Sequence, residues 1–146
     1  MTRLAILVAA VLLTVGAHGQ QKPAQPPSDQ ALAPFQGAWS IVSINGKDLA
    51  GTGAEMGLTV MADKYAQTIS GEVVERGAIK VDATKKPIAI DFLIGEGADA
   101  GKTQLGLVQI AGEAMTLKLN VAGLTERPTT MGAQEGQFLF VLKKIK

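Results

Sequence analysis

The chain has 146 residues, with 14 lysines and arginines, 13 aspartates and glutamates, one histidine and no cysteine. Its length corresponds to a single domain, and its near-neutral charge argues against binding to the phosphate backbone of nucleic acids. The lack of cysteine excludes a disulfide, so stability must come from a buried core, which about 125 residues can form.

The first 19 residues have the composition of a secretory signal peptide. A positive start at Arg3 precedes an almost unbroken apolar run, and Ala17 and Gly19 occupy the −3 and −1 positions of a cleavage site. A retained membrane helix is the alternative, but the run is short for a bilayer and no charged stop follows it. No cysteine follows the run, which excludes a bacterial lipoprotein anchor. We therefore expect a secreted or periplasmic protein with no stable membrane span after cleavage.

Cleavage near Gly19 would also remove His18, the only histidine of the chain. Without histidine or cysteine, Ser-His-Asp and Cys-His catalysis and zinc sites built on imidazole or thiolate are excluded. An enzyme would have to rely on carboxylates, lysine, tyrosine or arginine. We therefore predict a protein that is not an enzyme, with no catalytic residue, no cofactor and no metal site.

Residues 20–34 are rich in glutamine, proline, alanine and serine. Such a composition cannot bury an apolar face and predicts a flexible, disordered linker. Within it, a serine-aspartate pair favours one short helical turn that ends at Pro34. Leu32 and Phe35 would then be placed to plug one end of the domain that follows, which we assign to residues 35–146.

From residue 35 onward the pattern is typical of β-structure. We predict eight short strands with hairpin-length turns, over residues 37–44, 57–61, 64–69, 73–81, 88–94, 103–110, 115–119 and 137–144. Gly77 in the fourth strand indicates a bulge or bend. Successive hairpins give antiparallel neighbours, and eight of them can close without a free edge. The predicted fold class is all-β, an eight-stranded antiparallel up-and-down barrel, with a two-sheet sandwich as the alternative.

A short motif at the start of the first strand resembles a known family. Gly37-Ala38-Trp39, followed by eight strands, is similar to the signature of the lipocalins. That resemblance implies that Trp39 closes the floor of the barrel. It also implies that a basic residue near the last strand, Lys143 or Lys144, packs on the tryptophan ring.

A longer set of motifs resembles an uncharacterised lipocalin-like secreted domain family that is expanded in planctomycete-type bacteria. The set runs in order along residues 35–146 and comprises Phe35-Gln36-Gly37-Ala38-Trp39, Asn45-Gly46-Lys47, Asp82-Ala83-Thr84-Lys85-Lys86-Pro87-Ile88-Ala89-Ile90-Asp91, Gly97-Ala98-Asp99-Ala100-Gly101-Lys102-Thr103, Glu126-Arg127-Pro128-Thr129 and Val141-Leu142-Lys143-Lys144. The resemblance implies a lipocalin-like barrel and carries no established activity.

Two patterns that suggest catalysis are better explained by turns. The stretch from Gly95 to Thr103 is glycine-rich like a phosphate-binding loop, but Glu96 stands where a glycine is needed and a strand is predicted to follow. Acidic pairs such as Glu72 and Glu75 are interpreted as solvated turn residues, because nothing places a pair inside an apolar pocket as glycosidase chemistry requires.

The inward face of the predicted barrel is the candidate ligand site. It is formed by Ile88, Ile90, Phe92, Met115, Leu117, Leu119, Phe138 and Phe140. Eight-stranded barrels are either filled by such side chains or hold one small ligand, and both possibilities stay open. The candidate ligand-binding residues are Trp39, Tyr65, Phe92, Arg127 and Phe140.

Three of these candidates have a structural alternative. Trp39 can line a cavity or act as the largest anchor of the core. Tyr65 can present its hydroxyl to a ligand or cap a buried strand end. Arg127 can bind a carboxylate through two parallel hydrogen bonds, or it can pin its loop over the barrel mouth.

The leading hypothesis is an exported, non-catalytic, lipocalin-like barrel that binds a small apolar molecule or another envelope component. The alternative is a structural or protein-interaction module of the cell envelope, tethered by the linker, with a filled barrel. An exposed apolar patch combined with a filled interior would favour that alternative.

Overall fold

The computed structural model describes residues 27–146, and their side chains from residue 30 onward. The predicted signal peptide, residues 1–19, and residues 20–26 of the predicted linker lie outside the described residues. Within the described range, no helix combines the length and the apolar character needed to cross a membrane.

Within residues 27–146, nine antiparallel strands form a single sheet. They are β1 (Gly37–Ile44), β2 (Lys47–Asp48), β3 (Met56–Met61), β4 (Lys64–Ile69), β5 (Glu72–Asp82), β6 (Ile88–Glu96), β7 (Thr103–Ala111), β8 (Ala114–Leu119) and β9 (Phe138–Lys144). The two-residue β2 pairs antiparallel with the last two residues of β1, and β3 pairs with the first half of β1. Because β1 also pairs with β9, the eight longer strands form a closed barrel. This confirms the predicted fold class and excludes the sandwich.

The predicted strands agree with the observed ones to within two residues at every end. The additional strand, β2, lies in a glycine-rich stretch for which the sequence pattern predicts no strand. It forms because Asn45 and Gly46, with φ of 51° and 77°, make the two-residue turn that the Asn-Gly signal predicts. The turn brings Lys47 opposite Ile44.

One end of the barrel is closed by the residues that precede β1. Helix α1 (Pro27–Leu32) is followed by a 3-10 turn (Ala33–Phe35), and α1 packs against β5. Leu32 and Phe35 are buried and belong to the same apolar cluster as the barrel core. We call residues 27–35 the plug. The part of the predicted linker that the structure describes is therefore folded onto the barrel.

Trp39 forms the floor above the plug. Its side chain is buried, and its indole Nε1 donates a hydrogen bond to the carbonyl oxygen of Phe35 over 2.9 Å. The Lys144 ammonium lies 5.3 Å from the centroid of the tryptophan ring, a cation–π distance. Gln36 ties the plug to the turn after β3, because its amide exchanges two hydrogen bonds with the backbone of Ala62 over 2.8 and 2.9 Å.

Most of the side chains predicted for the inner face pack inside the barrel. Buried there are Ile90, Phe92, Met115, Leu117 and Leu119, and partly buried against them are Ile88 and Phe140. Phe138 is the exception, because 39% of its surface remains exposed. It lies at the end of the barrel opposite the plug, which we call the mouth.

The bulge predicted at Gly77 lies in the strand that faces it. The pairing between β5 and β6 shifts register between Arg76 and Gly77, because β6 contains one extra residue, Gly95, at this point. The backbone of Leu93 passes so close that a Cβ atom on Gly77 would lie 2.0 Å from the Leu93 carbonyl oxygen. A glycine is therefore required by the approach of the neighbouring strand.

Candidate ligand cavity

A cavity of about 180 Å³ lies inside the barrel on the side of the mouth. Its lining residues come from all eight long strands and from the loop between β6 and β7: Ile41, Leu58, Tyr65, Gln67, Glu75, Phe92, Asp99, Gln104, Leu117, Leu119, Phe138, Phe140 and Leu142. An apolar cavity of about 150 Å³ is sufficient to hold a benzene molecule. The barrel therefore has room for one small ligand above a packed floor.

Four aromatic rings line this cavity. Tyr65 and Phe92 meet edge to face, with ring centroids 4.8 Å apart and planes at 85°. Phe138 and Phe140 stack at the mouth with centroids 6.2 Å apart and planes at 27°. The chain has only six aromatic residues, so the cavity takes four of them and the plug end takes the other two. The base of the cavity is aliphatic.

The cavity also contains a small polar group of residues. The Tyr65 hydroxyl donates a hydrogen bond of 2.8 Å to Oε1 of Glu75, which is partly buried. Gln104 donates to the carbonyl oxygen of Asn120, and Asp99 accepts from the Lys102 ammonium over 2.7 Å. None of the residues that line the cavity is basic.

The environment of Tyr65 keeps its phenol neutral. Burial raises the pKa of Tyr65 far above its usual value, and the hydrogen bond to Glu75 and the negative charge of that carboxylate raise it further. The phenol therefore acts as a fixed hydrogen-bond donor to Glu75 throughout the physiological pH range.

We expect Tyr65 to ionise only when the barrel unfolds. Because the folded-state pKa is raised, the neutral phenol contributes stability that is fully present below about pH 10 and is lost as the pH rises above it. Tyr65 is the only tyrosine, so tyrosinate absorbance reports this one group, while Trp39 fluorescence reports folding independently. A base titration should show both signals changing together. Tyrosinate appearing near pH 10 in a barrel that is still folded would contradict this expectation.

The structure brings three of the five sequence-predicted residues to the cavity. Tyr65, Phe92 and Phe140 line it, whereas Trp39 is enclosed at the floor. Arg127 lies outside the barrel: its guanidinium donates to the carbonyl oxygens of Ile90 and Gly106 over 3.0 and 2.8 Å and to the carboxylate of Asp91 over 2.6 Å. It thus pins its loop to the outer wall and not over the mouth.

The loop of Arg127 covers part of the outer wall. Beneath it Lys118 is completely buried, and its ammonium donates a hydrogen bond to the carbonyl oxygen of Gly132.

Beside the loop that contains Arg127, an open hollow of about 450 Å³ is bordered by Lys80, Lys85 and Lys86. A larger hollow, about 790 Å³, opens where β1 and β3 part. Both are open grooves of the barrel wall, while the cavity is enclosed on its sides by the strands.

Glu75, Gln67 and Gln104 are cavity residues that sequence reasoning did not select. Glu75 was interpreted as a solvated turn residue, but it is partly buried and points inward. The signal was present in the alternation, because Glu75 shares a strand face with Ile79, and Gln67 shares one with Tyr65. A polar residue on an inward face near a strand end marks the rim of a cavity.

The other candidate chemistries do not gain support from the geometry. Across residues 27–146, no group of three or more acidic, histidine or cysteine side chains is placed to hold a metal ion. The glycine-rich stretch from Gly95 to Thr103 contains the end of β6 and the connection to β7, residues 97–102, and a strand follows as predicted. Compared with known proteins, the chain matches no protein-family model and no curated protein. A functional assignment therefore depends on the cavity itself.

Proposed function

We propose that this protein is an exported, non-catalytic binding protein whose barrel holds one small, largely apolar molecule. The observation that carries the proposal is the aromatic-lined cavity of about 180 Å³, which is sealed by the plug at one end and open at the mouth. Pockets that bind small molecules are concave and mostly apolar, with a few polar groups that orient the ligand. The Tyr65–Glu75 pair supplies such groups.

The titratable groups of the cavity favour binding over catalysis. Glu75 is held by a neutral phenol, and Asp99 is paired with Lys102. Within residues 30–146, neither carboxylate has a second carboxylate among its hydrogen-bond partners, and the raised pKa of Tyr65 keeps its phenol from acting as a base near neutral pH. The proposed export is based on the signal-peptide pattern of residues 1–19 and implies a secreted or periplasmic location.

The competing proposal is a structural or protein-interaction module with a filled barrel. Exposed apolar side chains do occur around the turn between β4 and β5, where Ile69, Val73 and Val74 are each about two-fifths exposed. The interior, however, retains space at the mouth. Ligand binding inside the barrel is therefore the better-supported function.

A substitution that fills the cavity tests the proposal. Leu119 lines the cavity near the mouth, so Leu119→Trp should occupy the space that a ligand needs. In an NMR titration with benzyl alcohol, we expect shifts around Tyr65 and Phe92 in the native protein and at least a tenfold loss of affinity in the variant. Leu93→Trp is the matched control, because Leu93 alternates with Phe92 and faces the outer wall. Equal binding by both variants, or no binding by the native protein, would contradict the proposal.

A further inference from the structure

We propose that the ligand of this cavity is a small organic cation, an ammonium group carried on an apolar body of about one ring. This inference rests on the proposed function and specifies the chemistry of its ligand. Three features of the cavity support it: an uncompensated carboxylate, a set of aromatic faces, and a limited volume.

The charge balance of the cavity is negative. Among the residues that the structure describes, two carboxylates line it and no basic side chain does. Asp99 is compensated by Lys102 at 2.7 Å, whereas none of the ion pairs found within residues 30–146 includes Glu75. A partly buried carboxylate is stabilised by a cationic partner. Within the described residues, the only hydrogen bond to the Glu75 carboxylate comes from the neutral Tyr65 hydroxyl, which binds Oε1 and leaves Oε2 available to a ligand.

The aromatic walls favour the same kind of ligand. The faces of phenylalanine and tyrosine rings attract cations, and cages of such rings recognise organic ammonium groups. Four aromatic residues surround the cavity, two of them deep inside and two at the mouth. An anionic ligand would be repelled by Glu75 and by the same ring faces. The cavity therefore favours positively charged ligands over negatively charged ones, in addition to limiting their size.

The volume restricts the apolar part of the ligand. A cavity of about 180 Å³ exceeds the benzene-binding volume only slightly, which leaves room for a single ring or a short branched alkyl chain. Lipid chains and fused ring systems do not fit above the packed floor. The ammonium group would lie beside Glu75 and the apolar body would face Leu58, Leu117 and Leu142.

Three probes of matched shape separate charge from size. Benzylammonium, benzyl alcohol and benzoate each carry one ring, with a positive, neutral or negative polar end at neutral pH. In calorimetric or NMR titrations of the purified protein, we expect benzylammonium to bind at least about tenfold more tightly than benzyl alcohol, with benzoate weakest. Equal affinity for the ammonium and the alcohol would overturn this inference and leave the proposed function standing. Binding of none of the three would overturn the proposed function itself.

Two carboxylate-to-amide variants assign the preference to a residue. Glu75→Gln keeps a side-chain oxygen for Tyr65 but removes the charge, so its affinity for benzylammonium should fall about tenfold, to the level of benzyl alcohol. Asp99→Asn makes the same change at a carboxylate that Lys102 already compensates, and less than a threefold change is expected. Native fluorescence of Trp39, which does not line the cavity, serves as the folding control in both variants. A preference that survives Glu75→Gln, or that Asp99→Asn removes equally, would overturn the assignment.

Discussion

Replacing Gly77 with alanine is expected to lower the free energy of unfolding by about 3 kcal/mol or more, although alanine is normally the better strand residue. The added Cβ would lie 2.0 Å from the carbonyl oxygen of Leu93, 2.9 Å from its carbonyl carbon and 3.0 Å from the Tyr65 ring. The first two atoms are backbone, so no rotamer change relieves the contact. β5 and β6 would have to separate at the bulge, and Tyr65 would be displaced from the cavity wall.

Urea denaturation followed by Trp39 fluorescence measures this loss. Gly95→Ala is the matched control, because Gly95 lies in the facing strand β6, its backbone is not in the left-handed region, and the nearest atom to a new Cβ is 3.5 Å away. That variant should stay within about 0.5 kcal/mol of the native protein. If Gly77→Ala proved as stable as Gly95→Ala, the close strand approach described here would be wrong.

Shortening Phe35 to alanine should cost about 3 to 5 kcal/mol, because a fully buried aromatic side chain would be lost from the plug. Phe35 is 2% exposed and lies directly beneath Trp39. The backbone carbonyl that accepts from the Trp39 indole remains in the variant. The expected loss therefore reports the packing of the ring and not the hydrogen bond.

The fluorescence of Trp39 provides the measurement, since it is the only tryptophan and it packs on the plug. In Phe35→Ala we expect a lower urea midpoint and a shift of native emission toward longer wavelength as water reaches the floor. Pro34→Ala, at the exposed neighbouring position, should leave both unchanged. Unchanged stability in Phe35→Ala would mean that the plug does not belong to the barrel's cooperative unit.

The strands were predictable because a half-buried barrel imposes a period of two on every strand. The alternation around Phe92 and the irregular pairing at Gly77 both have a local pattern in the sequence. Features that depend on contacts between distant parts of the chain could not be predicted in this way. Arg127 bonds to groups 21 to 37 residues away, so its position on the outer wall has no local signature. Lys118 has the outward alternation of a solvated residue, and only the fold of a later loop buries it.

The cavity was predicted in part for the same reason. Tyr65, Phe92 and Phe140 follow from their inward faces, but whether the side chains fill the interior depends on the barrel's shape and not on any one strand. Glu75 was assigned to solvent because its sequence position beside a turn suggested exposure. Glu75 pairs with Gln67 of β4, and the pairing between β4 and β5 shifts register directly after Gln67, before Thr68. The whole sheet, and not the local sequence, determines where such an irregularity occurs.

The pairing of β1 with β9 determines how the barrel can assemble. Asn45 and Leu139, 94 residues apart, exchange two hydrogen bonds of 2.7 and 2.8 Å at this seam. Closing so long a segment costs chain entropy before any contact repays it, so we expect ring closure to be a slow, late event of folding. Until it occurs, two strands have unpaired backbone groups that a second chain can pair with. At low protein concentration we therefore expect the monomeric barrel to form. At high concentration, two chains that are still folding can exchange strands.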